Sequence, residues 1–209
     1  MKICEIYLSL QGEGLDIGIP TVILRTSGCP LRCKWCDTPY ALNEGEEMSV
    51  EDILQKVESF GVLHVCLTGG EPLLQRDVYR LVQKLMNKGY LLSVETGGAL
   101  SIEQMPCAEN LRIVLDIKCP SSEMHEKMEF SNIELLGPVD ELKFVIADRK
   151  DYEYAKEVIE KYEPICSIIM QPVWGSDMKE LAEWVIEDRL NARVLPQLHK
   201  IIWGEKRGV

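Results

Sequence analysis

Apolar, β-branched runs recur along this chain, at Thr21–Thr26, Leu63–Leu67, Leu91–Glu95, Arg112–Asp116, Glu141–Ile146, Ile165–Met170 and Ala192–Leu195. Helix-period stretches lie between several of them, at Val50–Phe60, Val78–Lys88, Tyr152–Tyr162 and Met178–Glu187. Strand alternating with helix favours a parallel sheet, because parallel neighbours need a long return connection that a helix supplies. Runs such as Ser167-Ile168-Ile169-Met170 suit strands covered on both faces. Ser49 reads as the N-cap of the first helix and Gly89 as the stop of the second. At 209 residues the chain is shorter than the ~250 of a complete eight-fold barrel. The expected class is α/β, an incomplete TIM-like barrel of mostly parallel strands with crossover helices. With no Pro/Ser-rich linker, low-complexity segment or internal repeat, residues 1–209 read as a single domain. The stretch from Cys119 to Gly137 has no clear period, and reads as a long loop or a short irregular helix.

No apolar run approaches the ~20 residues that would cross a bilayer, so no membrane is expected as a partner. The opening Met1-Lys2-Ile3-Cys4-Glu5 lacks the long apolar stretch of a signal peptide, which points to the cytoplasm. Eight cysteines in such a compartment indicate metal or redox chemistry ahead of a disulfide framework. A formal net charge of −11 argues against a broad nucleic-acid-binding surface, although Arg25, Arg32 and Lys34 lie close to the cysteine run. A small molecule is the expected target.

Three of the cysteines form one short motif, Cys29-Pro-Leu-Arg-Cys33-Lys-Trp-Cys36. Iron–sulfur cubanes are usually held by four thiolates, so a loop offering three leaves one iron with an open coordination position. A zinc knuckle wants four tetrahedral ligands, commonly from two separated pairs, and a second pair is missing. Cys4, Cys66, Cys107, Cys119 and Cys166 are scattered singly, with Cys4 and Cys66 in apolar runs where cysteine acts as a small hydrophobe.

Placed on the strand–helix frame, the polar motifs fall on one rim. Arg25 and the cysteine loop follow the first core strand, Thr68-Gly69-Gly70-Glu71-Pro72 the second, and Glu95-Thr96-Gly97-Gly98 the third. Asp116-Ile117-Lys118 closes the fourth, Gln171-Pro172 the sixth, and His199 comes shortly after the last. Barrel enzymes place their sites at the C-terminal ends of the strands, where loops converge. Each motif also has a plain structural reading: glycine for turn geometry at 69–70, a local ion pair for Asp116 and Lys118, a structural histidine at 199.

The cysteine spacing is that of the radical S-adenosylmethionine enzymes. Together with Ser9-Leu10-Gln11-Gly12-Glu13-Gly14, Arg25, the Asp37-Thr38 that follows Cys36, the Gly-Gly-Glu turn, Glu95-Thr96 and Asp116-Ile117-Lys118, it resembles the 7-carboxy-7-deazaguanine synthase family. The resemblance implies conversion of 6-carboxy-5,6,7,8-tetrahydropterin to 7-carboxy-7-deazaguanine with loss of ammonia, a lyase step toward the modified tRNA base queuosine. It implies a [4Fe-4S] cluster on Cys29, Cys33 and Cys36, and S-adenosylmethionine chelating the fourth iron. An electron from the cluster would release a 5′-deoxyadenosyl radical.

The same resemblance implies Mg2+ at Thr38 and cofactor contacts from Trp35, Cys36, Asp37, Gly70, Glu71, Asp116, Lys118 and Gln171. It implies substrate contacts from Leu10, Gln11, Gly12, Glu13, Arg25, Thr68, Glu95 and His199. A pterin carboxylate wants a guanidinium, which Arg25 offers, and its amino and ring N–H groups want acceptors, which Gln11, Glu13 and Glu95 offer. No nucleophile–His–carboxylate constellation of the hydrolase kind is present, so no side-chain catalyst is expected. An electron donor such as flavodoxin or ferredoxin and a homodimer are the implied partners. The alternatives are an activase that abstracts hydrogen from a glycine of a partner enzyme, and a non-catalytic zinc-binding module. The short acidic stretch between Thr38 and Val50 reads as a helix or as a docking face for the electron donor.

Overall fold

A computed structural model describes residues 1–209. Its strands are β1 (Lys2–Leu10), β2 (Pro20–Thr26), β3 (Glu46–Glu47), β4 (His64–Gly69), β5 (Leu91–Thr96), β6 (Leu111–Ile117), β7 (Glu141–Ile146), β8 (Ser167–Pro172) and β9 (Arg193–Val194). The helices are α1 (Val50–Glu58), α2 (Val78–Asn87), α3 (Arg149–Tyr162), α4 (Met178–Glu187) and α5 (Leu198–Trp203). All nine strands join one sheet in the order β3-β1-β2-β4-β5-β6-β7-β8-β9. From β2 to β9 every neighbouring pair is parallel, while β1 runs antiparallel to β2 and to β3. The sheet does not close on itself, which gives the incomplete, mostly parallel barrel expected from the alternation of strand and helix.

The two faces of the sheet differ in chemistry. Val22, Leu24, Val65, Leu67, Val94, Leu115, Leu142 and Phe144 lie on one face and join Ile53, Val57, Leu81, Leu85, Tyr152 and Ala155 of the helices in a single buried cluster. Fully burying a side chain such as Leu115 or Phe144 contributes about 1.5–3 kcal/mol before ordering costs are subtracted. The opposite face carries Arg25 beside Thr68 and Asp116 beside Lys143 in direct register, with Gln171 beside Val145. Period-two alternation therefore puts hydrophobic side chains under the helices and polar ones on the concave side.

The segment after β1 crosses that concave face. Gln11 Nε2 donates to Glu95 Oε1 on β5 at 3.3 Å, the Leu15 N–H donates to Glu141 on β7 at 3.0 Å, and Asp16 pairs with Arg112 of β6 at 2.6 Å. One loop thus spans from β1 to β7, so the strands between them wrap around it.

Ser49 Oγ accepts from the Asp52 N–H at 3.1 Å as the N-cap of α1. Gly89, at φ +84°, follows the end of α2 in a left-handed conformation that other residues enter at a cost. Three segments take shapes that the sequence pattern left open. Lys2–Leu10 is the longest strand, hidden in sequence because Lys2, Glu5 and Ser9 interrupt its apolar pattern. Residues 119–137 fold into three 3-10 turns, Pro120–Ser122, His125–Lys127 and Phe130–Leu135, too short to show a period. The acidic stretch after Thr38 forms a 3-10 turn at Pro39–Leu42 and then β3, which pairs with β1. No helix is long and apolar enough to cross a membrane.

Candidate functional site

The cysteine loop leaves the end of β2 and is locked against the turn after β4. Gly70 N–H donates to Thr26 O at 3.1 Å, and Glu71 N–H donates to Gly28 O at 2.7 Å. A Cβ at position 70 would lie 2.2 Å from the Gly28 carbonyl oxygen, so the close approach of the two loops needs glycine there. Glu71 is wholly buried, and its Oε1 accepts from Thr96 Oγ1 at 2.9 Å and from Leu73 N–H at 3.1 Å. Its Oε2 accepts from Gly97 N–H at 2.8 Å, tying the β4 turn to the β5 turn. Burial pushes this carboxyl above its usual range, against the pull of those donors and of Lys118.

Cys29 and Cys33 are half-buried and Cys36 is exposed. Burial pushes the Cys29 and Cys33 thiols up, while Lys118 acts on both in the opposite direction. The rest of the loop rests on the turns after β6. Trp35 Nε1 donates to Ser121 Oγ at 3.3 Å, Lys34 N–H donates to Ser122 O at 3.1 Å, and Lys118 Nζ stands 5.6 Å from the Trp35 ring centroid. Thr38 Oγ1 lies 3.9 Å from Cys36 Sγ. Asp37 pairs with Lys200 of α5 at 3.2 Å.

On the concave face the residues singled out from sequence come together. Thr68 Oγ1 donates to Glu95 Oε2 at 2.8 Å while Gln11 holds Oε1. Leu10 ends β1 just before them. Glu13 receives Gln197 Nε2 on one oxygen at 2.8 Å and Lys143 Nζ on the other at 2.6 Å. His199 sits on the backbone of Gly12, whose O accepts from Leu198 N–H at 2.9 Å. Asp116 Oδ2 meets Lys118 Nζ at 3.0 Å and Lys143 Nζ at 3.4 Å. Arg25 stands slightly apart, its Nε bound to Glu5 Oε1 at 2.8 Å.

At the C-terminal rim of the sheet two acceptors are left over. Asp116 Oδ1 and Gln171 Oε1 are buried with no hydrogen-bond partner in the protein. Buried polar atoms are nearly always satisfied, so an orphaned pair at the C-terminal ends of β6 and β8 calls for donors from a ligand.

Sequence reasoning missed Lys143, Gln197, Glu5, Tyr40 and Arg207. Lys143 did leave a signal, a lone cation inside the apolar run Leu142-Lys143-Phe144-Val145-Ile146. Arg207 left none, since a terminal arginine is ordinarily a solvated one. Here it returns to β1, pairing with Glu5 at 3.0 Å and Glu44 at 2.7 Å over the Tyr40 ring.

A match to the Radical SAM superfamily runs over residues 23–163. The 7-carboxy-7-deazaguanine synthase of Thermoplasma acidophilum is 38% identical over 209 residues, covering 100% of both chains. That of Leptospira interrogans is 41% identical, covering 98% of this chain and 96% of its own. This chain belongs to the 7-carboxy-7-deazaguanine synthase family. Among solved structures, the crystal structure of QueE from Escherichia coli superposes with a TM-score of 0.77 at 27% identity, covering 95% of this chain and 94% of that one. Streptococcus suis SuiB, at 14% identity and a TM-score of 0.61, shares the fold over 83% of this chain.

As a radical SAM protein, a 7-carboxy-7-deazaguanine synthase requires a [4Fe-4S] cluster and S-adenosylmethionine. The residues present fit both. Three thiols from one loop suit a cubane with one vertex left for an exchangeable ligand, the orphaned Asp116 and Gln171 oxygens await donors, and the glycine turn at 69–70 keeps side chains away from the loop backbone. The zinc alternative gives way to the Radical SAM match over residues 23–163 and to the full-length deazaguanine-synthase relatives. In this family the activase alternative also gives way.

Proposed function

We infer that this chain is a radical S-adenosylmethionine lyase that converts 6-carboxy-5,6,7,8-tetrahydropterin to 7-carboxy-7-deazaguanine with loss of ammonia, in queuosine biosynthesis. The observation that carries this is full-length kinship with 7-carboxy-7-deazaguanine synthases on a sheet whose concave face is lined by polar side chains. Bound at Cys29, Cys33 and Cys36, the reduced cluster with S-adenosylmethionine supplies the radical that starts the ring contraction.

The chain's own residues hold and shield the reactants. With Nε committed to Glu5, the terminal N–H groups of Arg25 are the part of the fork available to the substrate carboxylate. Gln11, Glu13, Thr68 and Glu95 form the polar wall for the pterin ring, with Leu10 and Gly12 giving it backbone and His199 closing it from α5. Asp116 and Gln171 offer acceptors to the cofactor, and Lys118 and Trp35 flank it. The turn at Gly70 meets the cofactor with backbone, while the buried Glu71 carboxylate gives three of its about four acceptor positions to Thr96, Leu73 and Gly97 and keeps one for the cofactor. Cys36 and Asp37 complete the cofactor side. Thr38 would be the protein group that holds Mg2+, which would supply positive charge beside the substrate carboxylate, since this ion keeps several waters and needs few protein ligands.

The whole chain acts as one radical SAM domain, in the cytoplasm, as a homodimer supplied with electrons by a flavodoxin or ferredoxin. The reading is tested by anaerobic reconstitution and incubation with the carboxytetrahydropterin, S-adenosylmethionine and a reductant, followed by mass detection. A product with the mass and retention of 7-carboxy-7-deazaguanine is expected. Unchanged pterin in the presence of an intact cluster would overturn it.

A further inference from the structure

Glu141-Leu142-Lys143-Phe144 places one cation on the polar side of β7, between two neighbours that are wholly buried. Lys143 is only 6% exposed, and lysine is almost never buried without a partner. Its partners come from two other parts of the fold. Nζ lies 2.6 Å from Glu13 Oε2, on the loop after β1, and 3.4 Å from Asp116 Oδ2, on β6. Lys118 then meets the same Asp116 oxygen at 3.0 Å. Four charges therefore alternate in sign, Glu13, Lys143, Asp116, Lys118, and sum to zero.

We propose that Lys143 is a positioning residue for the reaction, a single buried ammonium that fixes the Glu13 carboxylate of the substrate loop relative to the Asp116 carboxylate on the cofactor side. The proposal rests on the deazaguanine-synthase reading of the site. Glu13 keeps lone pairs for a substrate donor, because an ionised carboxylate offers about four acceptor positions and two are taken. Asp116 has both ammoniums on Oδ2, which leaves Oδ1 as its free end, buried and without a protein partner. One ammonium thus sets the orientation of two acceptors that face different ligands.

Stability alone is a poor account of the cluster. A buried ion pair is commonly replaced by packed apolar residues at no net cost. Burial would push the Glu13 carboxyl up, and Lys143, aided by Gln197 and His199, overrides it and holds the group well below the usual carboxylate range. The groups facing Glu13 are Lys143 from β7, Gln197 just before α5 and His199 on α5, while Asp116 of β6 and Glu95 of β5 act on the same Lys143 ammonium. Lys143 is the largest influence opposing burial at Glu13, so removing it lets burial raise the carboxyl.

The test uses the reconstituted enzyme and three variants: Lys143→Met, Glu13→Gln, and the double variant. Iron content and melting temperature confirm that each has folded. Lys143→Met is expected to raise KM for the carboxytetrahydropterin by about tenfold or more, the loss of a charge-assisted hydrogen bond. It should also make substrate binding weaken toward acid pH, where the wild type stays flat. The double variant should match Glu13→Gln alone, because Lys143 acts through Glu13 on this side. That comparison holds even if Lys143→Met does not fold, since the double variant carries no unpaired charge at this contact. Multiplying effects in the double variant, or a Lys143→Met with wild-type KM and pH profile, would overturn the proposal. A folded wild type that makes no deazaguanine would instead sink the parent reading, and this inference with it.

Discussion

A Cβ at position 12 would lie 2.0 Å from Nδ1 of His199. The imidazole of the last helix therefore rests on bare backbone of the loop after β1, a contact that only glycine permits. Leu198 N–H and Gln197 Nε2 bind the same loop at Gly12 O and Glu13 Oε1, so the chain's end is latched to the wall of the site.

Gly12→Ala should push His199 off its seat while leaving the sheet untouched. A displacement of about 1 Å at a positioning group can cost ~100-fold, so kcat/KM should fall by about 10–100-fold. Iron content should stay at the wild-type level. Steady-state kinetics with the carboxytetrahydropterin checks this, and an unchanged kcat/KM would remove His199 from the site.

At position 70 the obstacle is backbone. A Cβ there meets the Gly28 carbonyl at 2.2 Å, and neither loop can give way by turning a side chain. Gly70→Ala should cost about 1–3 kcal/mol through overpacking and impair cluster assembly, because Gly28 adjoins Cys29. Thermal melts of the cluster-free protein and iron analysis after reconstitution would register both effects.

Replacing any one of Cys29, Cys33 or Cys36 with alanine should abolish cluster assembly and turnover. The exposed Cys107 is the control. Cys107→Ser should keep about four irons per chain, the cubane count. Iron and sulfide determination on anaerobically reconstituted samples separates the two outcomes.

Acid should weaken the anchorage of the chain's end. Burial pushes the Glu5 carboxyl up, but hydrogen bonds from Arg207 and Arg25 outweigh it and hold the group below its ordinary value. A depressed carboxylate stabilises the fold fully above its unfolded pKa and loses that contribution as pH falls through the folded value. Arg207→Ala removes one of the donors. The melting-temperature gap between wild type and this variant should be widest near neutral pH and close as pH drops below about 4. The gap should also shrink with added salt, because Arg207 is half-exposed. A gap that widens toward acid would contradict the assignment.

Much of the architecture was legible because burial writes a strong pattern. The strands from Thr21 onward and helices α1 to α4 appear in the sequence at nearly their observed positions. So does the rim, since each motif follows its strand. What escaped was set by tertiary contact. The strand at Lys2–Leu10 lies at the side of the sheet, where Glu5 is tolerated because Arg25 stands opposite it in register. The six-residue α5 is stabilised by its latch to Gly12 and Glu13, contacts more than 180 residues away in sequence. Nothing around Arg25 in the sequence shows that its guanidinium, offered to a substrate carboxylate, also holds Glu5, which Tyr40 and Arg207 share.

The central claim is that three thiolates on one loop and the polar concave face act together as a deazaguanine synthase. Its most direct measurement is the amount of 7-carboxy-7-deazaguanine formed per chain, set against S-adenosylmethionine consumed, under anaerobic turnover. The account predicts many equivalents of product for each S-adenosylmethionine lost, since the family resemblance implies that the abstracted hydrogen is returned to the cofactor. Cofactor cleavage without deazaguanine, at full cluster occupancy, would contradict it.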